Sequence, residues 1–133
     1  MDGTVSGPGE GELLSGEERA LRVKVSRPEL DVLEFEVGPG YEGPGPHFHK
    51  QHVDSFYVLE GELEFQIGNE TVRAGPGMLV SAPPGVVHAV TNPGSGRARF
   101  LNIHAPDRGF TDLMRARDRG EEPDPEDYDV WDI

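Results

Sequence analysis

The 133-residue sequence predicts a single all-β domain that ends in one short helix. Three observations carry that expectation. Eighteen glycines and twelve prolines punctuate short apolar runs along the whole chain, the pattern of many strands joined by turns. Several of those runs alternate apolar with polar residues, the two-residue period of a half-buried strand. A helical period appears only once, beyond Pro106.

Residues 1–10 read as a flexible acidic N-terminus, residues 11–120 as the folded body and residues 121–133 as an acidic tail. In ALRVKVS, Leu21, Val23 and Val25 alternate with Arg22 and Lys24; in LDVLEFEV, Leu33, Phe35 and Val37 alternate with Glu34 and Glu36. Both are strands with one buried face. SFYVLE is apolar on both faces, Phe56 and Val58 on one and Tyr57 and Leu59 on the other. Such a strand has its outer face covered too, by a second sheet or a partner subunit. ELEFQI turns inward Leu63, Phe65 and Ile67, and Gly68-Asn69 folds it back onto ETVRA as a hairpin.

Further strands are expected at MLVSA, VHAVTN and RARFLNIH, for a total of nine or ten. Phe110, Leu113 and Met114 then fall at i, i+3 and i+4 before Gly120, which predicts a helix covering an open end of the body. The tail carries Tyr128, Val130, Trp131 and Ile133 among its acids. Its apolar side chains favour docking and its charge favours solvation, so both states stay open.

With no cysteine in the chain, disulfides, thiolate metal ligands and a cysteine nucleophile are excluded. The net charge of −13 lies at the ends: −5 in residues 1–18, −7 in residues 118–133 and −1 in between. A nearly neutral body with acidic ends offers no basic stripe for phosphates and is repelled by anionic membranes. Neither nucleic acid nor membrane is an expected partner. The first residues lack the basic start and apolar run of a secretory signal, so a cytoplasmic protein is expected.

The chemistry concentrates in histidines. Of five, three cluster in PHFHKQH beside Asp54. Side chains at i and i+2 of a strand share a face, so His47 and His49 can aim at one point, and a metal ion can occupy it. Asp54 has the parity of Phe56 and Val58, the inward side, and can supply an oxygen. His88 lies in GMLVSAPPGVVHAVTN, where Gly77, Pro83 and Gly85 shape the turns around it. Spacing alone does not bring His88 beside His47 and His49.

These two stretches resemble the paired motifs of the cupin superfamily. Gly77, Pro83, Gly85, His88 and Asn92 match the second motif at every position, and His47, His49, Asp54 and Gly61 match the spacing of the first. Two departures stand out. Tyr41 occupies the place of the first motif's leading glycine, between Gly40 and Gly43, and Asp54 stands where the family has glutamate. The resemblance covers about residues 10–120. The stretch HAPDRGFTDLMR is also similar to the ending of small bacterial cupins related to quercetin dioxygenase.

The resemblance implies a double-stranded β-helix, or jelly-roll barrel, over residues 11–120. It implies one divalent transition metal per chain, held by His47, His49, Asp54 and His88, with Fe, Mn, Ni, Co, Cu and Zn all compatible. An octahedral ion would keep two positions for substrate, water or dioxygen. Asp54 is one methylene shorter than glutamate, so ligation through a water, or substitution by His52, stays open; His52 otherwise reads as an exposed residue of the mouth. Asn102 and His104 share one face of the last strand, and which face points inward is undecided. Packing is expected of Tyr41, Phe48 and Tyr57.

Function does not follow from this fold alone. The first expectation is a metal-dependent oxygenase acting on a small organic substrate inside the barrel, with Asp54 as the candidate for proton transfer. The alternatives are a non-enzymatic module that binds a small molecule or metal, and a metal-dependent isomerase. A homodimer is expected from the doubly apolar strand and the habit of small cupins, with the tail around Trp131 a candidate to cross to the partner.

Overall fold

The sequence alternation becomes alternation of burial along two antiparallel sheets. The structure, a computed structural model, describes residues 2–16 and 19–133; Met1, Glu17 and Glu18, the last two counted among the N-terminal acids, lie outside the described residues. The first half holds β1 (Glu12–Ser15), β2 (Arg19–Arg27), β3 (Leu30–Val37), β4 (His47–Phe48) and β5 (Val53–Glu60). There follow β6 (Leu63–Ile67), β7 (Glu70–Ala74), β8 (Leu79–Ala82), β9 (His88–Thr91) and β10 (Ala98–Ala105). Helix α1 (Phe110–Asp118), a 3-10 turn (Pro125–Tyr128) and β11 (Trp131–Asp132) complete the described chain. The fold is all-β with one helix.

One sheet runs in the order β1-β2-β3-β10-β5-β8 and the other β11-β4-β9-β6-β7. Their inner faces form the core. Every second residue of β3 is buried, so Leu33, Phe35 and Val37 point inward together with Asp31. In β5 the inward set is Asp54, Phe56 and Val58, while Tyr57 remains 39% exposed. β10 turns Phe100, Asn102 and His104 inward, which settles the face left undecided by its sequence. The stacked pair Phe35 and Phe100, register partners with ring centres 5.1 Å apart, ties β3 to its neighbour β10 on the inner face of their sheet. Burying each such side chain contributes roughly 1.5–3 kcal/mol.

Two of the eleven described strands fall where none was expected. β1 and β11 have little apolar alternation of their own and form because β2 and β4 offer them free edges. Pairing of Trp131 with Phe48 and Asp132 with His47 lays the end of the tail beside β4 of the same chain. α1 buries Thr111, Leu113, Met114 and Ala116 and covers one end of the barrel.

Two motif glycines have clear reasons. A side chain at Gly61, where φ is +78°, would place its Cβ 2.6 Å from the Arg97 carbonyl oxygen, closer than atoms pack. Gly85, at φ +87°, donates its N–H to the His49 carbonyl at 2.7 Å, joining the turn before His88 directly to the histidine cluster. Asn92 is also structural. Its amide donates to the carbonyls of Val37, Gly38 and Gly96, and its oxygen accepts from Gly94 N–H.

Candidate metal centre

Both sheets deliver residues to one point inside the barrel mouth. His47 on β4 pairs in register with His88 on β9, and Asp54 on β5 lies opposite His104 on β10. His49 follows β4 immediately. Side-chain donor atoms of His47, His49, Asp54 and His88 lie within 4.8 Å of one another, and all four residues are buried. The topology therefore supplies what spacing alone does not, the juxtaposition of His88 with the first histidine pair.

Hydrogen bonds orient the rings for ligation. Nδ1 of His47 donates to the Gly45 carbonyl at 2.9 Å, Nδ1 of His49 to the Asp129 carbonyl at 2.7 Å and Nδ1 of His88 to the Val86 carbonyl at 3.0 Å. A carbonyl only accepts, so each Nδ1 carries hydrogen and each neutral ring keeps its lone pair on Nε2. Nε2 of His49 and His88 then face Asp54 Oδ2 at 3.1 and 2.9 Å. Lone pairs facing a carboxylate repel unless a proton or a cation lies between them. The donor set therefore fits a divalent cation, with three imidazole nitrogens and one carboxylate oxygen.

Electrostatics agree with that arrangement. Burial pushes the Asp54 carboxyl up, but the imidazoles of His104, His49 and His88 outweigh it and hold the group well below the usual carboxylate range. Asp54 is thus anionic. Burial lowers His88, yet the hydrogen bond and charge of Asp54 reverse the sign and raise it above the ordinary histidine value. His47 moves the other way, lowered first by burial and then by His88 and His49.

Behind the four residues stands a chain that the sequence reading missed in part. Asn102 donates Nδ2–H to Asp54 Oδ1 at 2.6 Å and receives His104 Nε2–H on its own oxygen at 2.7 Å. His104 Nδ1 meets His52 Nε2 at 2.8 Å, and His52 Nδ1 donates to Asp129 Oδ2 at 2.8 Å. Burial drives His104 down to about 3, which keeps it neutral. Filling every bond of the chain takes a second proton on His52, which burial opposes and the Asp129 carboxylate favours.

His52 corrects an expectation: it is 1% exposed, not a surface residue of the mouth. Its ring stacks against His49 with centres 4.1 Å apart, and both nitrogens are engaged. His49, His52 and His104 also bring donor atoms together, but the bond between His52 and His104 occupies the nitrogens a second ion would need. Asp129 carried no sequence signal beyond its place in an acidic tail. Its carboxylate accepts from the backbone of Lys50 and Gln51, from His52 and from Trp131 Nε1, and these bonds overcome burial to lower its pKa.

A cavity of about 480 Å³ opens from the site, walled by Phe35, Phe56, Phe100, Phe110 and Met114. Tyr41 lines it too and is buried, in keeping with packing. Phe110, the first residue of α1, stacks on His104 with ring centres 3.9 Å apart, so the helix forms part of the wall beside the site.

Fold and site together define a small double-sheet barrel with histidines and a carboxylate gathered in its mouth. The profile of the Cupin domain matches residues 33–104, more than half of the chain and all four clustered residues, and the chain belongs to that family. It is similar to quercetin 2,3-dioxygenase of Escherichia coli (strain K12), 41% identical over 69 residues, which are 50% of this chain and 30% of that protein. Quercetin 2,3-dioxygenase of Bacillus subtilis (strain 168) is 25% identical over 84 residues, 61% of this chain and 25% of that one. The matches thus span only about a quarter to a third of these relatives.

Among solved structures, TT1209 from Thermus thermophilus superposes with a TM-score of 0.64 at 28% identity, covering 70% of this chain and 88% of that one. KdgF from Halomonas sp. reaches 0.70 at 24% identity, covering 80% and 96%, a likeness of fold.

Proposed function

We propose that this protein holds one divalent transition metal through His47, His49, Asp54 and His88 and acts as an oxygenase on a small organic substrate in the barrel cavity. The carrying observation is the orientation of the three histidines, each with Nδ1–H given to a backbone carbonyl, two of them turning Nε2 to Asp54. The local similarity to quercetin 2,3-dioxygenases supports the reaction class.

When bound, the metal supplies Lewis acidity and, for a redox-active ion, reaction with dioxygen. The chain's residues supply the rest. Asp54 acts as the anionic ligand; as a proton carrier it is a weak base, because the Asn102 amide donates to it and the surrounding imidazoles hold its carboxyl well below the usual range. Phe35, Phe56 and Phe100 exclude water and position an apolar substrate body. The chain from Asn102 to Asp129 holds the carboxylate in place.

Elemental analysis of protein reloaded with Fe(II), Mn, Ni and Zn, followed by oxygen-uptake assays on flavonols and smaller enols, tests the reading. About one ion per chain with substrate-dependent oxygen consumption is expected. Protein that stays metal-free sinks it, and turnover that proceeds equally without dioxygen moves the reaction to isomerisation.

We further propose that the protein forms a homodimer through the outer face of β5 and β8. Tyr57 and Leu79 are register neighbours there, 39% and 62% exposed, and Met78 adjoins them at 44%. Three large apolar side chains in one exposed patch favour a covering surface.

A further inference from the structure

We propose that the cavity has an anion-binding end built on Arg19, and that its ligand is an organic carboxylate with an apolar, preferably aromatic, body. This deepens the function proposed above by naming the substrate class of the same cavity.

One cavity is lined both by His47, Asp54 and His88 of the candidate metal site and by Arg19. Between them lies a line of rings. Phe56 sits 6.1 Å from His88 centre to centre, Phe100 follows at 5.9 Å from Phe56, and Phe35 at 5.1 Å from Phe100. The Arg19 guanidinium carbon then lies 5.9 Å from the centre of the Phe35 ring. A ligand filling this space meets apolar surface along its length and a cation at its far end.

Arg19 is half-buried, and among the described residues its guanidinium has no good acceptor. Nη1 points at the Met114 sulfur at 3.3 Å, and a thioether is a weak acceptor for one of five N–H groups. Among the described residues no carboxylate pairs with it. Arg117, the other arginine lining the cavity, has Glu122 at 3.9 Å, and Arg97, Arg99 and Arg115 each have acidic partners.

A partly buried charge without a counter-charge costs stability, and a ligand carboxylate removes that cost through two parallel bonds to the planar fork. The apolar walls strengthen the pair by excluding water. Of the acids lining the cavity, Glu122 is engaged with Arg117, Asp132 sits exposed at the rim, and Asp54 belongs to the metal end.

Calorimetric titration of the full chain with 4-phenylbutyrate and its uncharged amide, 4-phenylbutyramide, tests this on both Zn(II)-loaded and chelator-treated protein. In both forms the carboxylate is expected to bind at least about tenfold tighter than the amide, a difference of one charge-assisted contact. Arg19→Gln should bring the carboxylate to the affinity of the amide while leaving the amide unchanged, and Arg19→Lys should restore part of the preference. Unchanged amide binding shows that the variant is folded with its cavity intact.

A preference that survives Arg19→Gln and vanishes on chelation places the anion on the metal and overturns the proposal, as does equal or absent binding of the two probes. Metal content is measured separately. A protein that takes up no ion but keeps the Arg19-dependent preference retains this inference and loses the metal reading.

Discussion

His52 donates Nδ1–H to the carboxylate of Asp129 at 2.8 Å, across 77 positions of sequence. The contact is one end of a chain through His104 and Asn102 to Asp54, and the Asp129 carbonyl separately fixes His49. Two of the four candidate ligands are therefore oriented from the C-terminal tail. Asp129 is also the one described non-glycine residue with a left-handed backbone, at φ +59°, a conformation of local cost that asparagine and aspartate bear best.

Replacing Asp129 should consequently act on the metal without touching it. Asp129→Asn keeps the shape and backbone preference but removes the charge that His52 faces. Metal affinity in chelator competition is expected to fall by about 10- to 100-fold, the usual cost of losing a group that orients a ligand. The visible spectrum of the Co(II)-substituted protein should shift with it. An unchanged spectrum and affinity would leave Asp129 as a mere tether of the tail.

The sequence made some of this legible and not the rest, for physical reasons. Parity placed Asp54 with Phe56 and Val58, and β5 buries these three together. The same rule could not choose a face for β10, because Phe100 and Leu101 make both sides apolar at one end; the inward choice of Asn102 and His104 depends on Asp54 across the register. His52 looked exposed because its polar neighbours Lys50 and Gln51 suggest a solvated loop. The acceptor that buries it comes from residue 129, and local pattern carries no trace of a contact at that separation.

Asp31 offers a test of stability with a defined sign. Burial, with the neighbouring Asp107 carboxyl, pushes Asp31 up to about 6 from 3.8. A raised acid favours the protonated folded state, so its contribution is fully present below pH 3.8 and is lost as pH rises to about 6. Ionised Asp31 is then disfavoured in the folded state relative to the protonated form. Asp31→Asn, which keeps an acceptor for the Ser26 hydroxyl now at 2.7 Å, should raise the melting temperature at pH 8 by several degrees, with the gain shrinking toward pH 4. A gain independent of pH would assign the effect to something other than this charge.

The proposed dimer face is open to a direct measurement. Leu79→Glu puts a charge at the most exposed of its apolar residues, opposite Tyr57 in register. Light scattering at micromolar concentration should give twice the chain mass for the native protein and a monomer for the variant, with metal content unaltered. A native monomer removes the proposal.

Metal affinity should depend on pH through His88. Its pKa is raised above the usual 6.5 by Asp54, so a proton competes for the nitrogen the ion needs, and affinity should fall as pH drops through and below that value. His47, lowered by burial, adds little competition near neutrality. Asp54→Asn removes the group that raises His88, so the variant should bind metal more weakly at every pH and begin losing it at a lower pH than the native protein. Asp54→Glu separates ligation from support. A longer side chain bonded by Asn102, His49 and His88 crowds a buried centre if Asp54 touches the ion, and metal binding should weaken. If the glutamate variant binds as tightly as the native protein and keeps its pH midpoint, Asp54 acts from behind the ligands, and the three histidines alone hold the ion.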